Sequence, residues 1–492
     1  TSKGKNNMNE NDKEQEKKLE TGNSFLQNKI VQMGIKILSY FAILSILFLL
    51  ANIFETNKII RGIIGLTFIF TTLFFLSENV KAINYKTLIV GFLFQLILAL
   101  LLLLTQDFVG IFKAANDVFL ALMEYAKKGI NFLFASFVTG NLENPLINFT
   151  FIILPTIVFF GALIYFFYYI GLMELIIKAY AWIMMRVLGT SGAESVVASA
   201  KLFVGQTEAP LIIKPFLALL TRSEIFTVMS AGMATMAGGV MAAYVAMISP
   251  YIPTIAGHLL TAIILSVTAS VYMSKTLIPE TGDPVTRGDI KIKLEKPGTN
   301  LFEAITLGAR DGMFLAFNVG AMLLAFISLI ALLNDLVFNI TSWLFTISPI
   351  KSINLLSFSF ILKPFTFQDI LSFITYPIAY LLGIPKHEAF LAANFISQKI
   401  VINEFVAYSN FAKTIAENPD VLSMQSKIIL SYALAGFANF SSIGIQIGGI
   451  GALEPKIRPT IAQLGLRALI IGNLANFSSA VIAGTIMSHT NF

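Results

Sequence analysis

Long hydrophobic runs recur along most of the chain, and their lengths predict helices that cross a membrane. A helix needs about 20 apolar residues to cross a hydrocarbon core, and nine runs come close to that length. The predicted spans are 33–54, 59–77, 87–105, 149–173, 225–248, 252–273, 312–334, 425–450 and 461–487. A β-barrel would show short alternating segments instead. The pattern therefore predicts an all-α polytopic membrane protein with about nine transmembrane helices.

Composition agrees with this class and removes several kinds of site. Of 492 residues, 56% are hydrophobic and 13% are charged, whereas a soluble domain carries about 25% charged residues. No cysteine is present, which excludes disulfides and thiolate metal sites. Only three histidines occur, far apart at His258, His387 and His489. The net charge of +6 comes from loops and the N-terminal tail, which is typical of membrane orientation and not of nucleic-acid binding.

Two segments, 193–217 and 388–412, are apolar but interrupted. Pro210 and Pro215 prevent a regular helix through the first of them. Four loops are rich in lysine and arginine, and all four can lie in the cytoplasm only if neither interrupted segment crosses the membrane. We therefore predict two re-entrant helical hairpins. The same rule predicts a cytoplasmic N-terminus and a C-terminus outside.

The two interrupted segments form part of an internal repeat. Thr207-Glu208 lies in the first segment and Asn403-Glu404 in the second, and the carboxylates are 404 − 208 = 196 residues apart. AGMATMAGGV (231–240) and AGFANFSSIG (435–444) follow them, at a spacing of 435 − 231 = 204. On the predicted topology the two halves enter the membrane from opposite sides. Inverted repeats with short, broken segments in matching positions indicate a transporter binding site near the midplane.

The residue types in these segments indicate the kind of solute. A carboxylate at the centre of a membrane helix costs about 2.5–3.5 kcal/mol, so Glu208 and Glu404 are expected to face a cavity or a partner. Broken helices leave backbone groups unpaired, and the membrane tolerates these only where they line a cavity. Glutamine, threonine, glutamate, asparagine and serine together suit a polar, uncharged solute with hydroxyl groups and amide edges.

Several motifs, in order, resemble the concentrative nucleoside transporters. They are NVKAINYKT (79–87), GQTEAPLIIKPF (205–216), GMATMAGGVMAAY (232–244), GARDGMFLAFNVGAMLLAFISLIALLN (308–334), INEFVAY (402–408), YALAGFANFSSIGIQIGGIGAL (432–453) and LGLRALIIGNLAN (464–476). The resemblance covers the chain from about residue 58 to its C-terminus. It implies a symporter that imports nucleosides with Na⁺ or H⁺ and has no other cofactor. It also implies a homotrimer in the inner membrane.

The resemblance also implies roles for single residues. The positions that match those holding the nucleobase are Gln206, Thr207, Glu208 and Val240. The positions that match those hydrogen-bonding the ribose are Glu404, Asn439 and Ser442, and Phe437 matches an aromatic residue beside the substrate. From sequence alone, Glu208 and Glu404 could instead cap hairpin tips. Asn439 and Ser442 could instead join helices by hydrogen bonds.

The resemblance implies that each protomer contains a scaffold domain and a transport domain, and that the transport domain slides as an elevator. The expected divisions are 1–32, a disordered cytoplasmic tail; 33–54, an extra transmembrane helix; 58–190, scaffold helices with an interfacial helix within 107–142; 191–274, the first transport repeat; 275–385, a cytoplasmic loop, a scaffold helix and an interfacial region; and 386–492, the second transport repeat.

One departure from the sodium-coupled relatives bears on function, and it lies at the cation site. The matching positions are Lys201, Val204, Thr207, Thr235 and Met236. The first is usually asparagine, an oxygen ligand that suits a hard cation. The Lys201 ammonium repels Na⁺, so we expect coupling to H⁺. Two alternatives stay open: Lys201 could extend to the cytoplasmic interface and leave the site intact, or the match could be shifted by one residue.

Other functions are compatible with parts of the pattern. A symporter of another polar solute, such as a nucleobase or a sugar, would use similar hairpins. A passive channel would carry rings of polar residues along one helix instead. A membrane hydrolase could use Glu208 and Glu404 as paired carboxylates, but no histidine cluster, cysteine or GxSxG motif accompanies them. The choice between purine and pyrimidine nucleosides stays open.

Overall fold

The structure is a computed structural model, and it describes residues 33–104, 110, 113–124, 154–288, 296–347, 352–355, 358–361 and 364–487. The predicted tail, 1–32, lies outside these residues. So does most of the predicted interfacial helix, of which only 113–124 is described, as a helix.

The described chain is almost entirely helical, which confirms the predicted fold class. The first part contains α1 Met33–Ile53, α2 Lys58–Leu76, α3 Tyr85–Leu104, α4 113–124, α5 Leu154–Tyr169, α6 Leu172–Leu188 and α7 Gly192–Ala200. A 3₁₀ segment, Ala209–Leu219, then leads to α8 Arg222–Ala234, α9 Gly238–Ile248, α10 Ile255–Leu277 and α11 Leu301–Ile347. The last part contains α12 Phe367–Leu381, α13 Lys386–Val401, α14 Glu404–Glu417, α15 Met424–Ala433, α16 Phe440–Leu453 and α17 Arg458–Met487.

A short antiparallel hairpin is an addition to this helical plan. Its strands are β1, Ser352–Leu355, and β2, Phe358–Ile361. Ser352 pairs with Ile361 and Leu355 with Phe358. The hairpin lies between α11 and α12, inside the segment predicted to be an interfacial region.

Six described helical stretches are long and apolar enough to cross a membrane, if α8 and α9 together count as one. A seventh span results if the bent pair formed by α5 and α6 counts as one. The axes of this pair differ by 75°, and Gly171 begins α6 with a φ of 85°, a conformation that glycine adopts without a steric cost. The chain is therefore a multi-pass membrane protein, and the exact number of nine spans stays a prediction.

Helices α5 and α11 approach each other closely through glycine. A Cβ added to Gly161 would lie 2.6 Å from the Gly308 carbonyl oxygen, and one added to Gly312 would lie 2.8 Å from the Val158 Cα. Small residues permit this kind of backbone contact between membrane helices. Beside it, the Tyr165 hydroxyl donates to Asp311 at 2.6 Å. This packing holds α11 against α5 near the cavity described below, which Leu315 of α11 lines.

The two segments predicted to form re-entrant hairpins each consist of two pieces that pack against each other. In the first, α7 packs against the 3₁₀ segment, which has Pro210 in its first turn and Pro215 in its interior. In the second, α13 packs against α14, and the Asn403 side chain starts α14 by accepting a hydrogen bond from the Val406 amide at 2.8 Å. The first hairpin is irregular because proline cannot donate a backbone hydrogen bond. The second hairpin is regular.

Two helical stretches are broken in their middle, at the two motifs that the sequence singled out. The first break separates α8 from α9 at 235–237, and the second separates α15 from α16 at 434–439. The two breaks touch each other, since the Phe437 amide donates to the Thr235 carbonyl at 3.3 Å. A Cβ on Gly436 would lie 2.8 Å from the Ala234 carbonyl oxygen, so only glycine fits this crossing. The crossing lies in the buried core.

Candidate functional site

A cavity of about 180 Å³, lined by polar and apolar side chains, lies where the two hairpin tips meet the two helix breaks. All eight residues that the sequence assigned to the solute line it: Gln206, Thr207, Glu208, Val240, Glu404, Phe437, Asn439 and Ser442. The other lining residues are Gly205, Ala237, Leu315, Asn403, Phe405, Ser441 and Ile445. Residues more than 190 positions apart are thus brought into one site by the crossing of the breaks.

Glu404 is buried and held at both carboxylate oxygens. Its Oε1 accepts a hydrogen bond from the Tyr244 hydroxyl at 3.1 Å, and its Oε2 accepts one from the Asn439 Nδ2 at 2.8 Å. Glu404 is the first residue of α14, where free backbone N–H groups favour a negative charge. The Asn403 side chain caps the same helix, and Glu404 is in addition bonded by side chains of two other elements.

Glu208 differs from Glu404 because its side chain is exposed to the cavity. It directly precedes the 3₁₀ segment, yet its side chain does not cap that segment. A Cβ on Gly205 would lie 2.2 Å from the Glu208 Oε2. Gly205 therefore makes room for a carboxylate that folds back over the hairpin tip and faces open space.

Gln206 connects the first hairpin to the second broken helix. Its Nε2 donates to the Ser442 hydroxyl oxygen at 3.0 Å, and its Oε1 accepts from the Gln446 Nε2 at 3.1 Å. Ser442 in turn belongs to the start of α16, which the Asn439 side chain caps by accepting from the Ser442 amide at 2.9 Å. Asn439 and Ser442 therefore join helices as well as lining the cavity.

Lys201 follows α7 directly and is completely buried. Its ammonium donates to the Gly205 carbonyl oxygen, inside the same hairpin. Its Cε lies 3.7 Å from the position of a Cβ on Gly232 of α8. The side chain therefore points into the contact between the hairpin and α8, and the alternative that it extends to the cytoplasmic interface is wrong.

The other four predicted cation-site residues surround this contact in different ways. Thr235 is buried, and its hydroxyl donates to the Ala231 carbonyl of its own helix at 3.1 Å. Met236 is buried and Val204 is partly buried. The Thr207 methyl faces α16, where a Cβ on Gly449 would lie 2.3 Å from it. Of the five, Lys201 alone brings a charge to this contact.

A second buried lysine, Lys399 of α13, supports the crossing of the breaks. Its Nζ donates to the Asn473 Oδ1 at 2.7 Å and to the Asn476 Oδ1 at 3.0 Å, both on α17. The Asn476 Nδ2 donates to the Ala234 carbonyl at 2.7 Å and to the Ala435 carbonyl at 3.1 Å. One asparagine thus satisfies backbone groups at both breaks, and Lys399 fixes its orientation.

The sequence interpretation missed Tyr244, Gln446, Asn473 and Asn476. A signal existed for each of them. Tyr244 lies four residues after Val240, and Gln446 lies four residues after Ser442, which places each pair on one face of a helix. Asn473 and Asn476 share the GNLAN motif at helical spacing.

Three family models match the chain. The model described as Na⁺ dependent nucleoside transporter N-terminus matches residues 64–137, and the corresponding C-terminus model matches 258–484. Between them, a model described as nucleoside recognition matches 150–251. The nucleoside permease NupC of Helicobacter pylori is 36% identical over 427 residues, which cover 86% of this chain and 96% of that protein. The chain belongs to the concentrative nucleoside transporter family.

Other relatives of this family member extend from bacteria to man. The uncharacterized transporter YutK of Bacillus subtilis is 38% identical over 87% of this chain and 99% of that protein. Human solute carrier family 28 member 3 is 34% identical over 91% of this chain and 63% of the human protein. A solved structure, CNTnw in an inward-facing substrate-bound state, matches with a TM-score of 0.78 and 36% identity. It covers 88% of this chain and 98% of that one.

These comparisons confirm the family that the motifs of this concentrative nucleoside transporter indicated. The relatives are transporters and not enzymes, so the hydrolase alternative with Glu208 and Glu404 as paired carboxylates is wrong. The family is cation-coupled, and its members transport solutes across a membrane.

Proposed function

We propose that this protein imports nucleosides across the inner membrane by symport with a cation. The observation that carries the proposal is that residues from both hairpins and both helix breaks line one cavity, which contains acid, amide and hydroxyl groups. We further propose that the protein acts as a homotrimer in which the segments 191–274 and 386–492 move together as an elevator. The N-terminus lies in the cytoplasm and the C-terminus outside.

The ribose is placed against the second repeat. Glu404 is held at one oxygen by Tyr244 and at the other by Asn439, and each carboxylate oxygen keeps a further acceptor site. Two neighbouring hydroxyl groups of a ribose can donate to these acceptors. Because the carboxylate is already fixed, little side-chain freedom is lost when the sugar binds. A nucleobase without its sugar leaves these buried acceptors unpaired, which disfavours a nucleobase transporter.

The nucleobase is placed against the first hairpin. Gln206 and Thr207 offer an amide and a hydroxyl, and Val240 and Phe437 offer apolar contacts to the ring. Glu208 is exposed there and is able to accept hydrogen bonds from base N–H groups. The set is compatible with both purines and pyrimidines, and the substrate class is proposed as nucleosides of the uridine, cytidine and adenosine type.

H⁺ is the proposed coupling ion, because Lys201 places an ammonium group between the first hairpin and α8. Two positive charges 4 Å apart repel by about 4 kcal/mol at an effective dielectric constant of about 20. That is about a thousandfold in Na⁺ affinity. Protonation of the Lys201 amine brings a single positive charge to this contact, which is the electrostatic change that Na⁺ binding would bring. Na⁺ coupling is the alternative, since the matching family models describe Na⁺ dependent transporters.

Uptake of labelled uridine and adenosine into proteoliposomes tests the proposal. One set of vesicles carries an inward Na⁺ gradient and the other an acid-outside pH gradient, each with a parallel Glu404→Gln sample. Accumulation that is driven by the pH gradient alone, and is lost in the variant, supports both nucleoside import and coupling to H⁺. Accumulation driven by Na⁺ supports nucleoside import and overturns the role of Lys201. Failure of both gradients to drive either solute overturns the substrate.

A further inference from the structure

We propose that Gln446 is a positioning residue that selects between nucleobases by fixing the orientation of the Gln206 amide. The inference rests on the proposed function, in which Gln206 reads the base. Gln446 lies on α16, one turn after Ser442, and is completely buried. It does not line the cavity itself. It can therefore act on the solute only through Gln206.

A backbone carbonyl fixes which way the Gln446 amide is turned. The Gln446 Nε2 lies 3.0 Å from the Met229 carbonyl oxygen of α8. A carbonyl oxygen only accepts hydrogen bonds, so the NH₂ group of Gln446 must face it, and the reverse orientation would oppose two acceptors. The same Nε2 is 3.1 Å from the Gln206 amide. Gln446 therefore presents a donor to Gln206.

This donor then fixes the Gln206 amide. Its Oε1 must turn toward Gln446, and its Nε2 consequently turns toward the Ser442 hydroxyl at 3.0 Å. Ser442 lines the cavity and Gln446 does not. The carbonyl end of Gln206 thus points into the protein, and its NH₂ end points to the solute side. An amide NH₂ carries two hydrogens, so one remains for the base when the other is bonded to Ser442.

Two further observations indicate that the contact between the Gln446 and Gln206 amides is a specific feature of the structure. A Cβ on Gly232 would lie 2.8 Å from the Gln446 Nε2 and 3.3 Å from the Gln206 Cβ, so α8 leaves room for the pair by carrying no side chain there. The Gln446 Oε1 is buried without a hydrogen-bond partner in the described part of the chain. A buried unpaired oxygen destabilises a protein, and methionine of similar length would avoid it. The amide at Gln446 is therefore explained by its NH₂ group, which donates to the Met229 carbonyl oxygen and to the Gln206 Oε1.

A fixed donor at Gln206 favours a base with a carbonyl oxygen over one with an exocyclic amine at the same position. Uridine is then preferred to cytidine and inosine to adenosine, by about tenfold in KM, because the wrong partner leaves two donors facing each other. Releasing the Gln206 amide lets it turn over and accept from an amine. The preference should then collapse while transport of the better solute continues.

The test is uptake of uridine, cytidine, inosine and adenosine by full-length protein in proteoliposomes, with Gln446→Met, Gly232→Ala and the wild type. We expect the ratio of KM values within each pair to fall from about ten to near one in Gln446→Met, with the maximal rate for uridine changed less than about threefold. Gly232→Ala displaces the same amide from another helix and should move the ratio in the same direction. Ile447→Val, on α16 beside Gln446, is the control and should keep the wild-type ratio.

The outcomes separate this inference from the proposed function. If the wild type accumulates none of the four nucleosides, the proposed function fails and the inference fails with it. If the wild type accumulates them but shows no preference within each pair, or keeps its preference in both variants, the inference alone is overturned. Where Gln446→Met does not fold, the result for Gly232→Ala decides.

Discussion

The two hairpins carry the same kinds of residue in matching places and use them differently. Lys201 and Lys399 are 399 − 201 = 198 residues apart, close to the spacing of 196 between Glu208 and Glu404. Both lysines are completely buried. Lys201 bonds to one backbone carbonyl of its own hairpin, whereas Lys399 bonds to two asparagine side chains of another helix. Lys201 therefore stabilises only its own hairpin, whereas Lys399 joins two elements.

The carboxylates Glu208 and Glu404 also differ in how firmly they are held. Glu404 is buried between two donors, whereas Glu208 is exposed to the cavity over an irregular hairpin tip. The carboxylate of the second hairpin is therefore fixed, whereas the carboxylate of the first is free to adjust. That arrangement suits a solute with one constant part and one variable part, such as the sugar and the base of a nucleoside.

The difference between the two hairpins is tested most strongly at Lys201. We expect Lys201→Asn to raise Na⁺ affinity by about a thousandfold, since removing the ammonium group removes about 4 kcal/mol of repulsion. Uridine uptake is measured against Na⁺ concentration and against a pH gradient. Lys214→Asn, on the exposed side of the same hairpin, is the control. If ion dependence is the same in the wild type and in Lys201→Asn, Lys201 does not determine coupling.

The fixed carboxylate gives the next largest effect. We expect Glu404→Gln to lower kcat/KM for uridine by about a hundredfold, because it removes the charge that strengthens hydrogen bonds to the ribose. Glu417→Gln, on the exposed end of the same helix, should leave uptake unchanged. A loss of less than threefold in Glu404→Gln would contradict the assignment of the ribose to the second repeat.

Lys201 and Lys399 should differ in how much each contributes to the stability of the protein. We expect Lys399→Met to destabilise the protein by about 2 kcal/mol, because two buried asparagine oxygens lose their donor, and Lys201→Met by about 1 kcal/mol, because one carbonyl does. Thermal unfolding in detergent, followed in parallel for the two variants, gives the order. A lower melting temperature for Lys201→Met than for Lys399→Met would reverse the comparison.

Tyr244 provides the smallest predicted effect. Tyr244→Phe removes one of the two donors that hold Glu404, so KM for uridine should rise by about five- to tenfold with little change in the maximal rate. Tyr251→Phe, in the turn after α9, is the matched control. Full activity in Tyr244→Phe would show that Asn439 alone fixes the carboxylate.

The sequence by itself predicted the helical architecture and eight of the residues that line the cavity. Run length predicts spanning helices because the hydrocarbon core has a fixed thickness. Proline and glycine indicate where helices break, and an acid in an apolar segment indicates a cavity, because each is a local property of the chain. Glu208 and Glu404 were found in this way, and the resemblance to the family added Gln206 and Asn439 and implied roles for all four.

Only the tertiary structure decided how those residues are held. The bonds from Gln446 to Gln206, from Tyr244 to Glu404 and from Asn476 to Ala234 join positions 240, 160 and 242 residues apart. A buried glutamine or asparagine in an apolar helix gives the same sequence pattern in two cases. It can join helices, or it can orient a side chain that binds the ligand. The direction of Lys201 is equally open, because a long side chain can reach either water or a buried carbonyl. In the structure the Lys201 side chain packs between its hairpin and α8, and its ammonium donates to the Gly205 carbonyl oxygen.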